Sequence, residues 1–120
     1  MSAERKQQIT LGKFQAVDMH VARIIDAEVA QGTRHPARVM RLDVGLLGEL
    51  TSVGQFALVQ AVDLVGRNVV VCVNLGTREM GPYISEALVL GAPHPDSTNE
   101  QAQATPLYVA DAVRPGSPIF

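Results

Sequence analysis

The chain has 120 residues, 47% hydrophobic and 18% charged, with twelve acidic against ten basic side chains and a formal net charge of −2. That length holds one core and is short for two, so residues 1–120 read as a single domain. No run of about 18 uncharged apolar residues occurs, which argues against a membrane-inserted helix. The opening MSAERKQQITLGKF has no apolar signal stretch, and the one cysteine, Cys72, has no partner for an internal disulfide. A cytoplasmic protein is expected.

Residues 1–16 are polar and read as a partly helical N-terminal extension, with Ser2 and Thr10 as candidate N-caps. From Val17 the texture changes. VDMHVARIIDAEV is rich in β-branched residues and puts Met19 and Val21 on one face, then falters at Arg23-Ile24-Ile25, which predicts a bulge or bend in a long strand. GTRHP is a turn. RVMRLDVG alternates cleanly, with Met40, Leu42 and Val44 on one side and Val39, Arg41 and Asp43 on the other.

LLGELTSVGQF is expected to hold a third strand, weakened by Gly48 and Gly54, and ALVQAVDLVG a short helix or helical turn stopped by Gly66. RNVVVCVNL is apolar on both faces, as in a central or interface strand. SEALVLGA reads as another strand, and residues 94–105, HPDSTNEQAQAT, as an exposed, mobile loop. PLYVA is a last short strand, and residues 111–120 form an extended C-terminal tail. Five strands with one short helix between the third and fourth predict an all-β protein, a five-stranded barrel of the oligonucleotide/oligosaccharide-binding (OB) fold with terminal extensions.

Catalytic motifs are missing from the sequence. There is no nucleophile elbow and no phosphate-binding Gly-Lys loop. His20, His35 and His94 are scattered without zinc-ligand spacing, so neither metal nor cofactor is expected. Asp26 and Glu28 fit a solvated strand edge, and Cys72 within VVVCV fits a small core residue. A non-enzymatic protein follows.

Recognition is the remaining class. Arg34, Arg38 and Arg41 cluster around His35, and guanidinium groups suit phosphate; the same residues would also serve a solvated turn and strand face. Aromatics that could stack on bases are few: Phe14, Phe56, Tyr83, Tyr108 and Phe120.

The stretch NLGTREMGPYISEALVLGAP, residues 74–93, puts a polar pair, Ser85-Glu86, at the mouth of an apolar run. It resembles the segment that marks the tRNA-binding domain family, and its CsaA-type members in particular. The matching positions are Asn74, Arg78, Met80-Gly81, Ser85-Glu86 and Leu88-Val89-Leu90-Gly91. VDMHVARIIDAE, TRHPARVMRLDVG, TSVGQF and VRPGSPI are similar to further family segments in the same order. Departures include His20-Val21-Ala22 for the family's Arg-Val-Gly and Val53 for a second serine. After TSVGQF, where relatives often continue with Lys and Arg, this chain continues ALVQAV, and the shift towards Phe56, Ala57, Leu58 and Val59 favours packing or an apolar contact.

The resemblance implies an OB-fold homodimer that binds tRNA or other structured RNA without catalysis. Arg34, Arg38, Ser52, Gln55, Asn74, Arg78, Ser85 and Glu86 would form the RNA site. Glu86 would accept from a base edge or pair with Arg78, and Gly76 and Gly81 would let the backbone approach the ligand; Ser85-Glu86 can equally be read as a satisfied turn before a strand. The alternative implied by CsaA-type members is a chaperone for unfolded polypeptides, with Phe56 and Leu58 as the peptide-binding residues.

Overall fold

The computed structural model describes residues 4–120, so the candidate cap Ser2 lies outside the described residues. Thr10 does cap a helix: its side chain accepts from the Lys13 N–H at 3.2 Å and starts α1 (Leu11–Gln15), which buries none of its residues. The strands that follow are β1 (Met19–Val29), β2 (Arg38–Asp43), β3 (Glu49–Gly54), β4 (Asn68–Cys72), β5 (Arg78–Met80), β6 (Tyr83–Ser85), β7 (Leu88–Val89), β8 (Gly91–Pro93), β9 (Ala104–Pro106), β10 (Tyr108–Val109) and β11 (Pro118–Ile119). The described residues are all-β apart from this helix and two single 3-10 turns.

β1 serves two neighbours in turn. Its first half pairs antiparallel with β4, from Met19 opposite Cys72 to Arg23 opposite Asn68. Its second half pairs with β2, from Arg23 opposite Asp43 to Val29 opposite Arg38. The register slips between Ile24 and Asp26, the bulge that the faltering alternation predicts, and the extra residue bends the strand from one partner to the other. The main sheet runs β10-β4-β1-β2-β3, with β7 also on β4 and β11 on β1. β5 with β6 and β8 with β9 form separate two-stranded pairs, and no ladder among the described residues closes the main sheet on itself.

The core lies inside this bent sheet. Met40, Leu42 and Val44 alternate into it and join Ile24, Leu64, Val69 and Val71, all with no exposed surface. Each side chain of that size contributes roughly 1.5–3 kcal/mol by leaving water.

The structure refines three expectations. Of the short helix or helical turn expected between β3 and β4, it forms the turn, a single 3-10 turn at Ala61–Asp63. Leu64 is fully buried while Val62 and Val65 stay exposed, so there is no continuous apolar stripe to hold a longer helix on the sheet. SEALVLGA does not form one strand: the chain leaves β4 after Leu90, whose N–H bonds the Val70 carbonyl, and then pairs with β9. The C-terminal tail is extended as expected, but it also joins the sheet, with Pro118 opposite His20 and Ile119 opposite Met19.

Candidate functional site

The β5–β6 hairpin turns through Gly81 and Pro82, with Gly81 at φ +58°, as a tight two-residue turn needs at its first central position. A Cβ there would lie 2.5 Å from the Gly32 carbonyl. The missing side chain therefore lets the hairpin tip rest against the loop that joins β1 to β2. Tyr83 strengthens that contact by accepting the Gln31 N–H at its hydroxyl, 3.0 Å. This docking brings Arg78, on β5, to the same groove as Arg34, on the loop.

The groove has two connected hollows. One, of about 450 Å³, is lined by Thr33, Arg34, His35, Ala37, Glu79, Gly81 and Ala102; the other, of about 340 Å³, by Val53, Leu75, Gly76, Thr77, Ser85, Ala87 and Leu88. Gln55, Arg78 and Met80 line both. Among the described residues, neither guanidinium nor the Gln55 side-chain amide has a hydrogen-bond or ion-pair partner within the chain. Two cations and an amide with free donors face solvent across an apolar floor, with Glu79 the one carboxylate on the rim. No three His, Cys, Asp or Glu side chains gather at metal-binding distance among the described residues.

The other five residues expected at an RNA site are engaged inside the protein. Arg38 is 8% exposed, and its Nε donates to the Val59 carbonyl at 2.9 Å and its Nη1 to that of Ala27 at 3.4 Å. Asn74 ties α1 to the sheet: Nδ2 donates to the Ala16 carbonyl at 2.8 Å, and Oδ1 accepts the Asp18 N–H at 2.9 Å.

Ser52, Ser85 and Glu86 work together at the free edge of β3. The Val53 N–H donates to Ser85 Oγ at 3.1 Å and the Thr51 N–H to Glu86 Oε1 at 2.9 Å. The Glu86 N–H returns a bond to the Thr51 carbonyl at 2.8 Å, and both serine hydroxyls donate to the Ala87 carbonyl. The polar pair at the mouth of the apolar run thus supplies bonds that an edge strand would otherwise lack.

The peptide-site expectation separates in the same way. Phe56 is 2% exposed and belongs to the core, its ring lying where a Gly54 Cβ would clash at 2.4 Å, whereas Leu58 is half-buried. Arg41 is exposed and pairs with Glu49 at 3.7 Å.

No family model matches the chain. It is 35% identical over 112 residues to the methionine–tRNA ligase of Polaromonas sp., covering 92% of this chain and 15% of the ligase. To that of Thiobacillus denitrificans it is 36% identical over 97 residues, covering 80% and 14%. The chain spans at most 15% of the length of these two ligases.

Among solved structures, the chaperone CsaA from Bacillus anthracis matches with a TM-score of 0.81 and 25% identity, over 95% of this chain and 100% of that one. The MetRS-related protein from Pyrococcus horikoshii shares the fold, with a TM-score of 0.80 at 20% identity over 96% of this chain and 100% of that one. These likenesses agree with a tRNA-binding domain of the CsaA type.

Three residues that matter to this groove carried no site expectation. Met80 was one letter of a motif, yet it lines both hollows. His35 lay between arginines and lines the larger one. Gln103, in the polar 94–105 stretch, is 3% exposed: its Oε1 accepts the Ala57 N–H, and its Nε2 donates to the carbonyls of Pro36 and Gln101. It fixes the end of the loop that brings Ala102 to the groove wall, and no pattern in HPDSTNEQAQAT distinguishes it from its polar neighbours.

Proposed function

We propose that this CsaA-type chain is a non-catalytic RNA-binding module, and that tRNA or a tRNA-like structure lies along the groove of Arg34, Gln55 and Arg78. The observation that carries this reading is the pair of guanidinium groups free of internal partners on one groove. Phosphate contacts supply most of the affinity for nucleic acid, and two free arginines are suited to them despite the net charge of −2. Similarity to methionine–tRNA ligases adds weight.

The test is fluorescence anisotropy with bulk tRNA at two salt concentrations. Binding should weaken steeply with salt, and Arg34→Ala and Arg78→Ala should each lower affinity and reduce the magnitude of the salt slope by about 1. Absence of tRNA binding at low salt would sink the proposal.

The same reading takes the fold as a five-stranded OB barrel closed between β3 and residues 85–87, and the bonds of Ser85 and Glu86 to β3 support it. It takes the module as a cytoplasmic homodimer. Leu11, Phe14 and Val17, on and beside a helix that buries none of its residues, are exposed, as is Phe120; a second copy would remove them from water. A monomer in sedimentation at micromolar concentration would count against the dimer.

Capture of unfolded polypeptides is the second reading. It is favoured by the apolar lining of the smaller hollow, where Leu75 and Leu88 are 64% and 45% exposed, and by the chaperone CsaA likeness. That reading requires salt-tolerant binding through Leu58, Leu75 or Leu88 rather than through Phe56.

A further inference from the structure

We propose that the 340 Å³ hollow takes a single unpaired nucleobase, so that the module selects RNA with an extruded or single-stranded nucleotide over continuous duplex. This deepens the RNA-module reading and rests on it.

A site that held only the outside of an RNA helix would meet phosphate and sugar, and an apolar floor would contribute nothing there. This hollow has such a floor, made by Val53, Met80, Ala87 and Leu88. Its volume is near the small end of the range for small-molecule pockets, roughly 300–1,000 Å³. A helix cannot enter it, whereas one flat heterocycle can. Unstacked bases are held on aromatic, apolar or guanidinium surfaces and read along their edges by hydrogen bonds, and the hollow offers an apolar surface, a guanidinium and an edge-reading amide. Met80 and Leu88 give contact area, and the Arg78 guanidinium gives a planar, cationic surface.

Gln55 stands where the two hollows meet, and its side-chain amide presents an acceptor and two donors with no partner among the described residues. Arg34, in the adjoining hollow, is then available to a neighbouring phosphate. An apolar peptide side chain would fill the same floor but leave both arginines and the amide unanswered. Charge complementarity therefore favours a nucleotide.

The probes are a short RNA duplex and the same duplex carrying a one-nucleotide bulge, measured by anisotropy at one salt concentration. The bulged RNA should bind about tenfold more tightly, the scale of one well-made base contact. Gln55→Ala should remove most of that preference, whereas Arg34→Ala should weaken both RNAs equally and leave the preference in place. Thr77→Leu, which narrows the hollow from an exposed rim position, should act as Gln55→Ala does and guards against a folding defect in either variant.

Equal affinity for the two RNAs, or a preference untouched by both Gln55→Ala and Thr77→Leu, would overturn the base-site inference while leaving arginine-dependent RNA binding intact. Binding of an apolar peptide with no binding of either RNA would overturn the RNA-module reading as well.

Discussion

Replacing Ser85 with alanine tests whether the polar pair before β7 holds the structure or a ligand. The hydroxyl accepts the Val53 N–H at 3.1 Å, and Val53 is 5% exposed, so the substitution leaves a buried donor without its acceptor. The Ala87 carbonyl, the other partner of this hydroxyl, keeps its 2.7 Å bond from Ser52 Oγ and adds little to the cost. An unsatisfied buried donor costs about 1–3 kcal/mol. At about 4 °C per kcal/mol for a chain of this size, the expected loss in Tm is about 4–12 °C. Glu86→Gln is the control: it retains a carbonyl oxygen for the Thr51 N–H and should shift stability by less than about 0.5 kcal/mol. Thermal and urea unfolding followed by circular dichroism would read both variants, with tRNA affinity measured well below the transition. An unchanged Tm in Ser85→Ala together with a tenfold loss of tRNA affinity would refute the edge-closing role and return Ser85 to the ligand.

Arg38→Met should destabilise by about 2–3 kcal/mol, because a charged donor is lost from two carbonyls while the apolar stem is kept, and should leave tRNA affinity unchanged below the transition. Urea unfolding and anisotropy on the same sample check both halves. Asn74→Ala should cost about 1–2 kcal/mol and release α1, since it removes the clasp between Ala16 and Asp18 at an exposed site where water can replace the bonds. Loss of hydrogen-exchange protection at the Asp18 amide would be its signature; undiminished protection there would refute it.

The sequence was most legible where one physical signal acted alone. Clean alternation marked the buried set Met40, Leu42 and Val44, and its failure near Ile24 marked the bulge. The RNA-site expectations divided according to whether a side chain's partner was local. Arg38 resembles Arg34 by proximity, yet it shares strand parity with Met40 and Leu42 and so belongs to the inward face; the period of two already contained that distinction. Ser85 and Glu86 could not be assigned from the chain alone. The donors they accept from lie on β3, more than thirty residues earlier, and only the folded sheet decides which edge of β3 stays open. Whether ALVQAVDLVG would form a short helix or only the 3-10 turn at Ala61–Asp63 stayed open, because local propensity carries no information about whether an apolar stripe will find a partner. Arg34, Gln55 and Arg78 were nominated separately; what brought them to one groove was a glycine contact between two turns, invisible in any single segment.

The pairing of Met19 with Ile119 and of His20 with Pro118 joins segments about a hundred residues apart in the chain. On a ribosome that contact forms only after β11 has been made, long after the β1–β2 and β2–β3 hairpins can assemble locally. Closing so long a span costs chain entropy before it brings any contact, which places this protein with the slower-folding, high-contact-order β architectures. Until β11 arrives, the edge of β1 around Met19 and His20 stands open to strands from other nascent chains. The same short strand that completes the sheet therefore also sets the interval during which an unfinished molecule is most exposed to misassembly.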